Sequence, residues 1–283
     1  MLHGSCLCGE VAFEVDAALE DADACHCTIC RKLHGTAYGA YAVGRQSEFR
    51  FTRGEERIGR YRSSERGYRW FCSQCGSVVP ERHSSGDAVD VPLGALEDGG
   101  PELRLRMHIF VASRAPWFEI SDALPRFDTR PSTSHLAVYP TPARAPSAKG
   151  EIAGSCLCNA VGYVLQRPPS LMQNCHCRRC QRARAAPHAI NAFTDLEGFR
   201  YTRGESELRS YKLPEARFYT SVFCGVCSAP MPHVDHARDR VLIPAGSFDD
   251  DPGVRPSQHV CVASKAAWFE ISDSLPQYPA APT

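Results

Sequence analysis

The chain of 283 residues has no excess of charge, because 32 basic side chains balance 32 acidic ones. A balanced charge gives neither nucleic acid nor an anionic membrane surface a reason to bind. The sequence also lacks an apolar run as long as a membrane span, and its first ten residues, MLHGSCLCGE, lack the charged start and apolar stretch of a signal peptide. These absences predict a cytoplasmic protein without nucleic-acid or membrane partners.

Long amphipathic helices are equally scarce, and the apolar residues alternate instead. Val11, Phe13 and Val15 share one parity, and the stretch from Leu103 to Val111 repeats the pattern. Alternation is the period of a half-buried strand, and Gly and Pro interrupt it often. We therefore predict a mainly β fold with largely antiparallel sheets and short helical turns.

Cysteine, by contrast, is abundant, with fifteen residues, and most of them lie in a duplicated pattern. GSCLCGEVAFEV at 4–15 matches GSCLCNAVGYVL at 154–165, and FCSQCG at 71–76 matches FCGVCS at 223–228. The unit of about 150 residues is far too long for a solenoid repeat, so the chain contains a duplicated domain.

The predicted domains are 1–128 and 150–283. They are joined by a linker at 129–149, where Pro, Ser and Ala are dense and no helical or strand period holds. The oligomeric state is not predicted, but the duplication suggests that the two halves pack as an internal pseudo-dimer.

Seven cysteines in each unit fall into three clusters, and seven divides as four plus three. A closed zinc site takes four thiolates, whereas three protein ligands leave one position for another molecule. A Cys-x-x-Cys turn needs a second pair, which the early Cys-x-Cys can supply, and the compact Cys-His-Cys-x-x-Cys cluster can hold an ion alone. We predict up to four zinc ions. The predicted structural ligands are Cys6, Cys8, Cys72 and Cys75, with copies Cys156, Cys158, Cys224 and Cys227, and the predicted three-thiolate sites are Cys25, Cys27 and Cys30, with copies Cys175, Cys177 and Cys180.

Other residues near these clusters have simpler interpretations. The odd cysteine count and the Cys-x-Cys spacing disfavour disulfides. His26 and His176 are alternative fourth ligands, but the middle side chain of an extended Cys-x-Cys points away, so a hydrogen bond or capping of the turn is favoured. Cys261, whose place Phe110 takes in the first unit, is expected to be a core side chain.

Strand parity places His108 and His259 opposite the apolar face, so we expect solvated or hydrogen-bonded histidines rather than general bases. Trp117 and Trp268 are expected to anchor the core. Gly54, in the segment FTRGE, is expected to form a turn with positive φ.

The motifs GSCLCG, CHCTICRK and FCSQCGS, with the tail HIFVASRAPWFEISDALPRF, resemble the glutathione-dependent formaldehyde-activating enzyme family, which includes centromere protein V. The resemblance covers both units. It implies two tandem zinc-binding β-tent domains similar to the Mss4-like fold, each with a Cys₄ structural zinc and a Cys₃ site regarded as catalytic. It also implies condensation of formaldehyde with glutathione, which is a carbon–sulfur lyase reaction in reverse.

The second unit departs from the family pattern at Asn159, Arg182 and Ala185, which stand where the first unit has Gly9, Lys32 and Gly35, and at CSA in place of CGS. All seven cysteines persist. We therefore expect its metals to remain and its substrate pocket to differ or to be vestigial.

A zinc ion with three thiolates is soft and electron-rich, so it suits an incoming thiolate better than a hydroxide nucleophile. We predict an enzyme of carbon–sulfur lyase type that forms or cleaves adducts between a glutathione-like thiol and a small aldehyde. No catalytic side chain beyond the metal ligands is assigned. Arg31, Lys32, Arg178 and Arg182 either clamp the carboxylates of such a thiol or balance the charge of the zinc–thiolate centre.

Two other functions fit the same cysteines. A non-catalytic tandem zinc scaffold would present a surface to another protein, since a fold by itself proves no activity. Thiol redox sensing is the third option, and zinc analysis would separate it from the other two.

Overall fold

Each unit folds into three β-sheets and one short α-helix in the computed structural model, which describes residues 1–16, 19–20, 22–65, 67–84, 86–97, 103–131 and 150–281. The mainly β prediction with two tandem units is confirmed. The predicted domain boundaries stay predictions, because 132–149 of the predicted linker lies outside the described residues.

The first unit contains ten strands and helix α1 within the described ranges. They are β1 (Leu2–Ser5), β2 (Ala12–Val15), β3 (Ala22–Cys25), α1 (Thr28–His34), β4 (Gly39–Arg45), β5 (Phe49–Arg53), β6 (Ile58–Arg62), β7 (Tyr68–Cys72), β8 (Glu81–Arg82), β9 (Ala88–Pro92) and β10 (Leu105–Ile109). The sheets have the orders β1-β2-β5, β10-β3-β4-β9-β8 and β6-β7.

The second unit repeats this plan. Its elements are β11 (Ile152–Ser155), β12 (Gly162–Leu165), β13 (Leu171–Cys175), α2 (Arg178–Arg184), β14 (Ala189–Thr194), β15 (Phe199–Arg203), β16 (Leu208–Lys212), β17 (Thr220–Cys224), β18 (His233–Asp235), β19 (Arg240–Pro244), β20 (His259–Val260) and β21 (Gln277–Tyr278). The sheets have the orders β11-β12-β15, β18-β19-β14-β13-β20-β21 and β16-β17.

Local sequence explains the strand and turn geometry near the cysteines. Alternation in β2 buries Phe13 and Val15, as predicted. Gly54 has φ 73°, and a Cβ there would lie 2.0 Å from the Glu10 carbonyl oxygen, so the predicted glycine turn is confirmed. Both predicted tryptophan anchors, Trp117 and Trp268, are buried.

The two units pack closely against each other through their helices. α1 contacts the single-turn helix Ala245–Ser247 of the second unit, and α2 contacts Leu93–Ala95 of the first. A Cβ at Gly94 would lie 2.1 Å from the Ala186 nitrogen, and one at Gly246 would lie 2.2 Å from the Arg31 carbonyl oxygen. Only glycine permits this approach, and one apolar cluster includes buried residues of both units. The predicted pseudo-dimeric packing is confirmed.

Both helices are seven residues long. Within the described ranges, no helix has the length and apolar character needed to cross a membrane. The predicted cytoplasmic location stays a prediction.

Candidate metal centres

Four groups of cysteine thiols converge in the structure, and they are the four groups that the spacing predicts. In each group all sulfur atoms lie within 4.8 Å of one another. All fifteen cysteines lie in the described ranges, and each is a free thiol. The groups are Cys6, Cys8, Cys72 and Cys75; Cys156, Cys158, Cys224 and Cys227; Cys25, Cys27 and Cys30; and Cys175, Cys177 and Cys180.

The four-cysteine groups join the turn after the first strand of each unit to a distant hairpin. In the first unit, the sulfur of Cys8 lies 3.4 Å from that of Cys6 and 3.7 Å from that of Cys72. In the second unit, the Cys158 sulfur lies 3.5 Å and 3.8 Å from its two equivalents. Four thiolates around a tetrahedral zinc, each about 2.3 Å from the ion, stand roughly 3.8 Å apart, so these donors fit zinc.

Backbone amides also favour thiolates in these groups. Val11 N–H donates to the Cys6 sulfur at 3.3 Å, and Val161 N–H donates to the Cys156 sulfur at 3.2 Å. Hydrogen bonds with the Cys6 and Cys72 thiols hold the pKa of Cys75 far below its ordinary value. Hydrogen bonds with the Cys72, Cys75 and Cys8 thiols raise the pKa of Cys6 far above its ordinary value, so the thiols share protons, and a bound dication would displace them.

The three-cysteine groups are built where a strand meets a helix. Cys25 ends β3, Cys27 caps α1 by accepting from Cys30 N–H at 3.4 Å, and Cys30 lies in the first helical turn. The second unit uses Cys177 and Cys180 in the same way. A sulfur N-cap is unusual, because Ser, Thr, Asp and Asn are the ordinary capping residues.

One thiol in each three-cysteine group is acidic because its neighbours donate to it. Hydrogen bonds with Cys25 and Cys30 lower the pKa of Cys27 well below its ordinary value. The equivalent bonds with Cys175 and Cys180 lower the pKa of Cys177 to about 2. Three sulfur donors fit zinc and leave room for a further ligand.

Each three-cysteine group has an arginine beside it, and sequence reasoning missed the one in the first unit. In the first unit, Arg69 of β7 interacts electrostatically with Cys27 and Cys30. In the second unit, Arg179 of α2 hydrogen-bonds to Cys177. Arg179 lies within the CHCRRC motif, where adjacency in sequence already indicates it, whereas Arg69 lies on a distant strand for which the motif gives no signal.

His26 points away from its neighbouring sulfurs, as predicted. Its Nε2 lies 2.8 Å from His108 Nδ1, and His108 Nε2 lies 3.0 Å from Asp122. Since Nε2–H of His108 donates to the carboxylate, its Nδ1 accepts from His26 Nε2–H. Burial lowers the pKa of His26 to about 3, so the ring is neutral.

The second unit repeats this relay with His176, His259 and Asp273 at 2.8 Å and 3.0 Å. Neither His26 nor His176 belongs to a thiol group in the described part of the chain. His108 and His259 are hydrogen-bonded, as expected, but both are buried, so the expected placement away from the buried face is wrong.

Cys261 corrects another expectation, because it is half-exposed rather than a core side chain. Its thiol hydrogen-bonds to the Cys175 thiol. The contact follows from strand register: β20 runs parallel to β13 with Val260 opposite Cys175, so the next residue lies at the metal group. Phe110 occupies the equivalent place, after Ile109 opposite Cys25.

The four cations predicted to bind substrate contact the opposite unit. Arg31 donates to the Phe248 carbonyl oxygen, and Arg178 donates to the Leu96 carbonyl oxygen. Their role as carboxylate clamps stays a prediction, and these contacts favour a role in joining the units.

Lys32 is fully buried and lies 2.7 Å from Asp249, so it presents no exposed surface to a substrate carboxylate. Arg182 is half-buried and donates to Ser5 Oγ at 2.6 Å. Both cations therefore bind the opposite unit, whereas the sequence alone predicted that they bind a substrate or balance the charge of the metal centre.

The fold and these thiol groups define a class: a tandem β-tent (Mss4-like) protein with four cysteine sites suited to metal. The model of the family named glutathione-dependent formaldehyde-activating enzyme matches residues 1–113 and 151–264. The chain belongs to that family.

Two similar proteins add detail. A Halomonas elongata protein, provisionally named a glutathione-dependent formaldehyde-activating enzyme, is 29% identical over 134 residues, covering 42% of this chain and 81% of its own length. A crystal structure of a Rhodobacter sphaeroides protein is 33% identical and covers 34% of this chain and 87% of its own. Its TM-score of 0.29 is too low to carry an argument about fold.

Proposed function

We propose that the protein is a zinc-dependent enzyme of carbon–sulfur lyase type, which forms or cleaves adducts between glutathione or a similar thiol and formaldehyde or another small aldehyde. The observation that carries the proposal is a three-thiol group in each unit, separate from the four-thiol group. Family membership and the name of the Halomonas elongata relative support a role related to glutathione and formaldehyde.

The reaction is an addition. The thiol sulfur forms a bond to the aldehyde carbon, and the thiol proton moves to the carbonyl oxygen, so a hemithioacetal contains all atoms of both reactants. A zinc ion held by Cys25, Cys27 and Cys30 would supply a thiol-binding position and would favour the thiolate form of the substrate.

The surrounding residues of the first unit support this chemistry. Arg69 offsets part of the negative charge of three thiolates. The relay from His26 through His108 to Asp122 fixes the backbone between Cys25 and Cys27. A fixed ligand loop positions one reactant, and proximity of the second is then the main catalytic contribution.

The proposal is tested with zinc-loaded protein, glutathione and formaldehyde, with adduct formation followed by NMR. Cys27→Ser and Cys177→Ser disable one three-thiol group each, and the double variant disables both. Zinc content is measured for each. We expect four ions in the unmodified chain, two in the double variant, and a rate at the uncatalysed background in the double variant.

Comparing the two single variants shows which unit carries the activity. The comparison requires that each variant unfolds at the same temperature as the unmodified chain, which shows that the four-thiol sites remain intact. A double variant that keeps the full rate would refute the enzyme, and it would favour the alternative of a tandem zinc scaffold that binds another protein.

A further inference from the structure

A cavity of about 460 Å³ lies between the two units, lined by the Phe-Glu-Ile-Ser-Asp segments that begin at Phe118 and Phe269. Its size is that of a small-molecule site. Asp122 and Asp273, the last members of the two histidine relays, both face it. No cysteine lines it among the described residues, so it is distinct from the metal centres and does not rest on the proposed function.

The cavity is built from two equivalent halves that no longer match. Asn174 and His188 line it in the second unit, and the equivalent positions of the first unit hold Ala24 and Tyr38. In a homodimer of identical units, any such change would appear twice. The tandem chain places the change on one wall only, so the cavity suits a ligand whose two ends differ chemically.

Two buried polar atoms of that wall lack partners. Asn174 is 5% exposed and His188 is 4% exposed. Among the residues that the structure describes, neither Asn174 Oδ1 nor His188 Nδ1 has a hydrogen-bond partner. A buried polar group without a partner is unfavourable, so both atoms favour a ligand that can bond to them.

The charge around the cavity selects the kind of ligand. Four carboxylates line it, from Glu119, Asp122, Glu270 and Asp273, against one guanidinium, from Arg104. Glu119 and Glu270 are exposed, and the two aspartates are half-buried. Negative charge in a concave site attracts cations.

Cationic side chains near the same segments contact other groups and do not line the cavity. Arg255, which interacts electrostatically with Glu119, pairs with Asp251. Arg126 donates to the Ile120 and Asp122 carbonyl oxygens, and Arg114 donates to the Phe118 carbonyl oxygen. Lys265 donates to the Ala266 carbonyl oxygen. The balance of the lining therefore stays negative.

Aromatic rings supply the rest of the surface. Tyr38, Phe118, Trp268 and Phe269 all line the cavity. Aromatic faces attract organic cations, and they also bury the apolar part of such a ligand.

From the unpartnered acceptor, the carboxylates and the rings together, we propose that this cavity binds a small organic amine in its ammonium form. On binding, the Asn174 amide at the cavity wall turns its oxygen toward the ammonium group, which the carboxylates attract. The apolar part of the amine lies against the aromatic rings, and His188 accepts from or donates to a polar group of the ligand.

The test is calorimetric titration of the zinc-loaded full chain at low ionic strength with benzylamine, benzyl alcohol and benzoate, which share one ring and differ in charge. We expect benzylamine to bind at least about tenfold more tightly than benzyl alcohol, and benzoate to bind least. Equal affinities for the three probes, or no benzylamine binding, would overturn the proposal.

The asymmetric wall is tested by giving the second unit the residues of the first. Asn174→Ala and His188→Tyr are each expected to weaken benzylamine binding about tenfold, since each removes a hydrogen bond to a charged or polar ligand group. The temperature of unfolding of each variant, compared with that of the unmodified chain, checks that lost affinity does not reflect a damaged fold. Unchanged affinity in properly folded Asn174→Ala would sink the proposed wall.

The charge is tested at the rim, where substitution does not disturb the core. Glu119→Gln with Glu270→Gln should weaken benzylamine binding about threefold at low salt. The matched control removes Glu56, whose side chain is 75% exposed, and Glu197, which is 85% exposed, and so changes net charge equally. An equal loss of affinity in the control would attribute the effect to overall charge and contradict a specific site.

Discussion

The two units keep the same metal ligands but diverge in the residues that join them. Lys32 of the first unit enters the second, where it pairs with Asp249 and donates to the Ser155 and Ser247 carbonyl oxygens at 2.6 Å and 3.1 Å. Its equivalent, Arg182, donates to Ser5 Oγ and to the Cys6 carbonyl oxygen instead. One contact is a buried ion pair, and the other is a half-buried hydrogen-bond network.

A similar difference surrounds the metal groups and the cavity. Arg69 balances the first three-thiol group, whereas Arg179 balances the second, and Cys261 stands where the first unit has Phe110. In a homodimer, one substitution alters both copies of an interface. A tandem chain can alter one copy alone. The cysteines that bind metal therefore persist in both units, while the residues around them diverge.

The largest expected difference concerns Lys32. Lys32→Met should lower the free energy of unfolding by about 3–5 kcal/mol, because it removes the buried ammonium group that offsets the charge of the half-buried Asp249 carboxylate. Arg182→Met should cost roughly 1–2 kcal/mol, because it removes hydrogen bonds at a half-buried site and breaks no buried ion pair. Urea denaturation of both variants and of the unmodified chain measures the two values.

The control replaces both members of the buried pair, as Lys32→Met with Asp249→Leu. An apolar pair of similar volume is often as stable as the ion pair that it replaces, so part of the loss should be recovered. Equal costs for Lys32→Met and Arg182→Met would contradict the comparison of the two contacts.

The next effect is the contribution of His34 to the pH dependence of stability, which the equivalent residue of the second unit does not make. His34 Nδ1–H donates to the Arg184 carbonyl oxygen, and His34 Nε2 accepts from Tyr41 Oη at 2.6 Å. Burial lowers the pKa of His34 to about 4 from an ordinary value of 6.5. The equivalent residue in the second unit is Arg184, which does not titrate in this range.

A lowered folded-state pKa means that the neutral ring is the form that folding favours. The stabilisation is complete above pH 6.5 and is lost as the pH falls from 6.5 to about 4. The loss amounts to about 3 kcal/mol at most. His34→Gln should flatten the stability profile in that window relative to the unmodified chain, while identical profiles would show that His34 does not contribute.

Sequence reasoning recovered the ligand sets because their spacing is local and is written twice. It recovered the strand character of β2 because alternation is also local. It missed the environment of Lys32, because that side chain meets Asp249 only when two units dock. Spacing within one unit carries no information about such a contact.

Cys261 was missed for a related reason. Its proximity to Cys175 depends on the parallel pairing of β20 with β13, two strands more than eighty residues apart in the chain. An unpaired cysteine after an alternating segment is typical of a core position. Only the register, with Val260 opposite Cys175, places the following thiol at the metal group.

The smallest expected effect tests this thiol. Cys261→Phe gives the second unit the residue of the first, and it removes the hydrogen bond to Cys175. Loss of a neighbour that orients a ligand typically weakens metal binding by about tenfold or more. The measurement uses a Cys27→Ser background, in which only the second three-thiol group is intact. There, a chromogenic chelator should take up the zinc of that group about tenfold faster after Cys261→Phe.

The reciprocal change sharpens the comparison, since Phe110→Cys places a thiol after Ile109, which lies opposite Cys25. In a Cys177→Ser background, this variant should slow zinc loss from the first group. Cobalt substitution gives a second readout, because thiolate-to-cobalt absorption rises with the number of sulfur ligands. If neither exchange alters the release rate or the cobalt spectrum, the residue after the parallel strand is a bystander and the two three-thiol groups are equivalent.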